Sequence, residues 1–81
     1  QLFLVEAKAT VRQEYLTTFA ANYAEILEYF PEYRNMKLTP VFSSFYLKPN
    51  EIKFLSKHGI YALMMSDESM DLANFESVNR N

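Results

Sequence analysis

The chain opens with four apolar residues, Leu2-Phe3-Leu4-Val5, that run directly into Glu6-Ala7-Lys8-Ala9. A short, bulky apolar run predicts a strand over residues 2–9. Side chains alternate faces along a strand. Leu2, Leu4, Glu6 and Lys8 therefore share one face, and Phe3, Val5, Ala7 and Ala9 share the other. The first face turns from apolar to charged at the carboxyl end, the end at which open α/β sheets bind ligands. Next, Thr10-Val11-Arg12-Gln13 has the form of a capping box. Val11, Tyr15, Phe19, Tyr23, Ile26, Leu27 and Phe30 then recur at three- and four-residue steps. This spacing predicts an amphipathic helix over residues 11–30. Arg12, Glu14, Thr18, Asn22, Glu25 and Glu28 make its solvated side, and Pro31 ends it.

Residues 32–36 read as a connection. Leu38 to Leu47, rich in β-branched and aromatic residues, predicts a second strand. Pro40 suggests an edge position or the entry to that strand. Pro49 suits the first turn of a short helix over residues 50–58, and Gly59 suits its left-handed C-cap. Ile60 to Met65 is apolar on both faces and predicts a central strand. Ser66 to Asp71 reads as an acidic loop, and Phe75 and Val78 as a short extended piece of the tail. The order is β-α-β-α-β. Two crossovers then make a small, mainly parallel three-stranded sheet flanked by helices, an α/β fold.

Composition narrows the classes. Eighty-one residues, 49% apolar and 16% aromatic, make one small packed domain. The absence of cysteine excludes disulfides and thiolate metal sites. No apolar run approaches the roughly 20 residues that span a bilayer, and residues 1–8 lack a signal peptide's basic start. The default location is cytoplasmic. The net charge of −2 is uneven. Residues 1–33 set Lys8 and Arg12 against Glu6, Glu14, Glu25, Glu28 and Glu32, a net of −3. Residues 34–58 set Arg34, Lys37, Lys48, Lys53 and Lys57 against Glu51, a net of +4. A basic middle suits a nucleic-acid backbone. The chain starts without methionine inside an apolar run, as a truncated chain or a proteolytic fragment does.

The chemistry concentrates at Glu6-Ala7-Lys8. A carboxylate is a hard ligand for Mg²⁺ or Mn²⁺. An ammonium on the same face stabilises charge developing on a phosphate or positions a water. The competing reading is a Glu6–Lys8 ion pair on a partly exposed strand. His58, one residue before Gly59, reads as a helix-dipole partner rather than a general base. Asp67, Glu68 and Asp71 read as a solvated loop rather than a cation site. Ser43 and Ser44 have no nearby histidine and read as strand residues. With a single glycine in the chain there is no phosphate-binding glycine loop.

In Leu4-Val5-Glu6-Ala7-Lys8, followed directly by a long helix, the chain resembles the second half of a PD-(D/E)XK nuclease domain, of the restriction-endonuclease-like superfamily. It is most similar to uncharacterised prokaryotic members in which this domain follows a coiled coil. Phe30-Pro31-Glu32-Tyr33 and Lys57-His58-Gly59-Ile60 resemble the family's junctions, and the likeness covers residues 2–78. It implies a partial restriction-endonuclease-like fold, with residues 1–81 as the C-terminal part of a larger nuclease-like domain. It implies DNA as substrate and Mg²⁺ or Mn²⁺ held by Glu6 and by an Asp on a preceding strand. Lys8 is then the water-positioning or charge-stabilising base. That Asp, an upstream helix and two hairpin strands have no counterpart in residues 1–81. The fragment alone is therefore expected to bind no metal, to be catalytically inert and to self-associate through the open edge of its first strand, whose Leu2 and Leu4 face loses cover, or through the aromatic long helix. Gln13 follows the motif, but Thr17 stands where the recombination-nuclease subtype carries a tyrosine. The alternative function is a non-catalytic nuclease-like module that binds nucleic acid or protein.

Overall fold

A computed structural model describes residues 2–66 and 69–79. Asp67 and Glu68 of the acidic loop lie outside them. The fold is mixed α/β, with an open, mostly parallel four-stranded sheet. Its elements are β1 (Leu2–Ala7), α1 (Gln13–Tyr29), α2 (Glu32–Asn35), β2 (Leu38–Ser44), α3 (Pro49–Lys57), β3 (Tyr61–Met65), β4 (Met70–Leu72) and α4 (Phe75–Asn79). The sheet order is β1-β2-β3-β4. β1, β2 and β3 run parallel, while β4 is antiparallel to β3. Among the described residues no helix is long and apolar enough to cross a membrane.

The core lies on one side of the sheet. Leu16 and Phe19 of α1 and Leu55 of α3 pack with Phe42 of β2, Leu47, Ile60 and Ala62 of β3. Leu4 packs against this cluster from β1. Register places Leu4 beside Pro40, Glu6 beside Phe42 and Phe42 beside Ala62, so these residues share the helix-covered face. The other face carries Phe3, Val5, Val41, Tyr61, Leu63 and Leu72. It is open at its β1 end, with Phe3 63% and Val5 57% exposed, while Val41 is buried and Phe75 of α4 stacks on Tyr61. The expectation that the Leu2 and Leu4 face would lose cover is therefore corrected. Leu4 is half-buried under α1, and it is the Phe3 and Val5 face that is bare.

Several boundaries differ from the periodicity. Helix α1 starts at Gln13, with Arg12 at its N-cap and no side-chain cap. Thr10 lies too early to cap it, because residues 8–12 carry the chain from the sheet up to the helix layer. Gln13 instead donates from Nε2 to Thr17 Oγ1 at 3.3 Å. Leu16, outside the expected stripe, is the fully buried residue of α1, whereas Phe30 is 50% exposed. A 17-residue helix spans about 25 Å and a six-residue strand about 20 Å, so the last turn overhangs. Pro31 ends α1 as expected but then opens the single turn α2.

β2 is internal rather than an edge strand, and it carries Pro40 all the same. The Lys8 amide donates to the Ser43 carbonyl, so Ser43, Val41 and Thr39 bond toward β1. Pro40 therefore points its missing donor toward β3, one residue before that ladder starts at Val41. The expected three-stranded sheet also gains β4, and Phe75 and Val78 lie in a helix, not an extended piece. Helix α3 ends as its glycine implies. Gly59 has φ +71°, its amide donates to Ser56 O, and the Ile60 amide donates to Leu55 O at 2.9 Å, a Schellman closure.

Asn74 ties the tail to this end of the fold. It is buried, its Oδ1 accepts from the Ala62 amide at 2.7 Å, and its Nδ2 donates to Ile60 O at 2.9 Å and Ser56 Oγ at 3.0 Å. Replacing Asn74 with Ala strands these buried groups. The expected loss is about 2–4 kcal/mol, read as a fall in Tm of roughly 4–8 °C per kcal/mol. Exposed Asn35→Ala is the control and changes little. Gly59→Ala meets no atom within 4 Å, so only its left-handed backbone is penalised. Its expected cost is about 1–2 kcal/mol by the same melt.

Candidate functional site

Alternation along β1 sends Glu6 and Lys8 to the same side as Leu4, toward α1. Leu4 meets the core, but the strand ends at Ala7 and the chain then leaves the sheet. The carboxyl end of β1 is therefore uncovered until the first turns of α1 return above it. The space between is a groove of about 410 Å³ with Glu6 and Lys8 on its strand wall. Its helix wall is Glu14, Tyr15, Thr18 and Asn22, with Phe19 also contributing. Glu6 and Lys8 are each half-buried and open to this groove.

Glu6 and Lys8 do not pair with each other among the described residues. The Lys8 ammonium lies over the Tyr15 ring, 4.8 Å from its centroid. A cation at that distance is attracted by the ring's negative face, by about 0.5–1 kcal/mol where water has access. The Lys8 backbone is pinned by its bond to Ser43 O at 3.0 Å. Across the groove, Glu14 is drawn to Arg12 at 3.8 Å, a loose surface pair. Among the described residues no three His, Cys, Asp or Glu side chains gather to hold a metal ion. Glu6 and Glu14 face the same groove from opposite walls, and Mg²⁺ is commonly held by one or two carboxylates with several waters. The donor set thus fits a hard, largely hydrated cation rather than a caged one.

The helix wall is what the sequence reading missed. Glu14, Thr18 and Asn22 stand at four-residue steps and had the signature of a solvated face. That same step places them in one row. The row becomes a wall because α1 passes above the end of β1. Tyr15, read as a packing residue, packs against the core and also seats Lys8.

The other candidates separate from this groove. His58 sits at the C-cap of α3, with Nδ1 2.9 Å from Phe54 O and its ring 4.3 Å from that of Phe54. As a donor there it carries its proton on Nδ1. Asp71 is exposed on β4, where its carboxylate accepts from Ser69 Oγ at 3.4 Å. Ser43 and Ser44 are buried strand residues, and the Ser44 hydroxyl has no hydrogen-bond partner among the described residues. Lys53 and Lys57 lie four apart on the exposed side of α3. Phe45 and Tyr46, 63% and 64% exposed, follow β2 at the carboxyl end of the sheet.

The seating of Lys8 on Tyr15 has a direct readout. The Lys8 ε-methylene protons are expected upfield of ordinary lysine values by NMR, and Tyr15→Leu returns them to those values. Unshifted protons in the unsubstituted protein would show that the ammonium is not held over the ring. No family model, curated protein or solved structure matches the chain.

Proposed function

We propose that the Glu6–Lys8 groove is half of a metal-dependent nuclease site, in a partial restriction-endonuclease-like domain that hydrolyses DNA phosphodiesters. One observation carries this reading: Glu6 and Lys8 share a solvent-open groove at the carboxyl end of a strand without neutralising each other. In it Glu6 would hold Mg²⁺ or Mn²⁺, which would supply an acidified water for phosphodiester hydrolysis at neutral pH. Lys8 offers its ammonium to the charge that grows on the phosphate oxygens. Tyr15 keeps that ammonium in the groove and away from Glu6. A further carboxylate is required from a strand added to β1, and β1 is at the edge of the sheet, where such a strand fits. Lys53 and Lys57 on α3 suit phosphate contacts, and the exposed Phe45 and Tyr46 suit stacking on bases.

The competing reading is a nuclease-like module that binds nucleic acid or protein without catalysis. The bare apolar face around Phe3 and Val5 favours a protein partner in that case.

Cleavage of labelled DNA by the complete protein separates the two. With Mg²⁺ or Mn²⁺ present, Glu6→Ala and Lys8→Ala are each expected to slow cleavage by roughly 10²–10³, the usual loss when a charge-stabilising group is removed. Residues 1–81 on their own are expected to be inert. Cleavage undiminished by either substitution removes Glu6 and Lys8 from the site. DNA binding without any cleavage selects the binding module.

A further inference from the structure

β1 forms one edge of the sheet. The Lys8 amide bonds to Ser43 O, and Ala7 is in register with Ser43. In a parallel ladder this directs the amide and carbonyl groups of Leu4, Glu6 and Lys8 toward β2. Those of Phe3, Val5 and Ala7 then point outward from the edge. Three consecutive outward donor–acceptor sets on a strand with no proline are a template for another strand.

We infer that in the 81-residue chain this edge is filled by β1 of a second copy, antiparallel about a two-fold axis at Val5. Of the registers that use the outward groups, those centred on Leu4, Val5 and Glu6 use the most, and charge and count choose among them. Centring on Glu6 sets two Glu6 carboxylates directly opposite each other, which is destabilising. Centring on Leu4 pairs only Phe3 and Val5 of the outward groups within Leu2–Ala7. Centring on Val5 pairs Val5 with itself and Phe3 with Ala7 of the other copy, using every outward group. It also sets a large ring beside a methyl group and places each Glu6 opposite a Leu4.

The same axis brings a second surface together. Along this edge, between β1 and α1, lies a groove of about 380 Å³ that includes Leu4, Ile26, Tyr29 and Phe30 together with the carboxylates of Glu6 and Glu25. Pairing of the edges sets the two grooves side by side. Phe3, Tyr29 and Phe30 are 63%, 70% and 50% exposed. At about 150–250 Å² per aromatic side chain they offer roughly 350 Å² per copy. Val5, Ile26 and the strand backbone add to this, toward the roughly 800 Å² per partner of a standard interface. A two-fold contact needs such a self-complementary patch.

Sedimentation of the 81-residue chain at micromolar concentration should give a dimer. Because the chain has no cysteine, single cysteines report the register. Directly opposed, hydrogen-bonded residues of an antiparallel pair have Cα atoms about 5.5 Å apart, within disulfide range. Val5→Cys should therefore oxidise to a linked dimer many-fold faster than Phe3→Cys. A mixture of Phe3→Cys and Ala7→Cys chains should cross-link to each other. Val5→Pro removes one outward amide and no bond to β2. It should give monomers in which the Glu6 and Lys8 amides stay protected from hydrogen exchange. A monomer in the unsubstituted chain overturns the inference. So does a dimer in which Val5→Cys links no faster than Phe3→Cys, as a contact through the bare sheet face would give. If Val5→Pro loses that protection, the cysteine rates decide.

Discussion

The fold depends on the seat that Phe42 provides at the centre of the sheet. Phe42 is fully buried on β2, and the Phe19 ring meets it edge-on with centroids 5.9 Å apart. Leu16 and Leu55 bring the two main helices onto the same spot. Because both long helices cover one face, the buried cluster among the described residues lies on that side, and the opposite face has only Phe75 of α4 stacked on Tyr61. A chain of 81 residues buries roughly 60–65% of its unfolded surface, so little else can compensate for a defect at this contact. The burial of Asn74 follows the same logic. Its three hydrogen bonds hold the tail against the core at Ile60 and Ala62, so unmaking them would strand polar groups beside fully buried apolar ones.

The candidate site is a by-product of that packing. The core fixes α1 above β1 and β2 through Leu16 and Phe19, and the chain needs residues 8–12 to climb there. Glu6 and Lys8 fall on the core-facing side of β1 but just beyond the covered part. They are thus held by a rigid strand while remaining open to water. Tyr15, one turn before Phe19, reaches down to Lys8 from the same helix. This arrangement separates an acid and a base that adjacent positions on a strand face would otherwise let pair.

The uncovered surfaces have a common origin too. Parallel strands ordinarily lie between two layers of helices. Here β1, β2 and β3 are parallel, both crossover helices lie on one side, and the other face is open around Phe3 and Val5. The edge of β1 adds an unpaired backbone row to that apolar face. Strand addition at this edge satisfies the backbone groups, and any layer on the open face satisfies the apolar ones. The two needs are distinct and can be met by different partners.

Much of the secondary structure was determined locally by the sequence. Pro31 ended the long helix, Gly59 closed the short one, and the two-residue spacing put Glu6 and Lys8 on one side of their strand. These outcomes rest on backbone sterics and side-chain period, which a few neighbouring residues decide. Tertiary structure decided the rest. It chose which face of β1 is covered, buried Leu16 in place of Phe30, and kept Pro40 in an internal strand by starting the β3 ladder one residue later. It also turned Met70–Leu72 into a strand and Phe75–Asn79 into a helix. Glu14, Thr18 and Asn22 became the wall of a groove in the same way. Their spacing is written in the chain, but what lies opposite them is set by packing between residues far apart along it, and no local period carries that information.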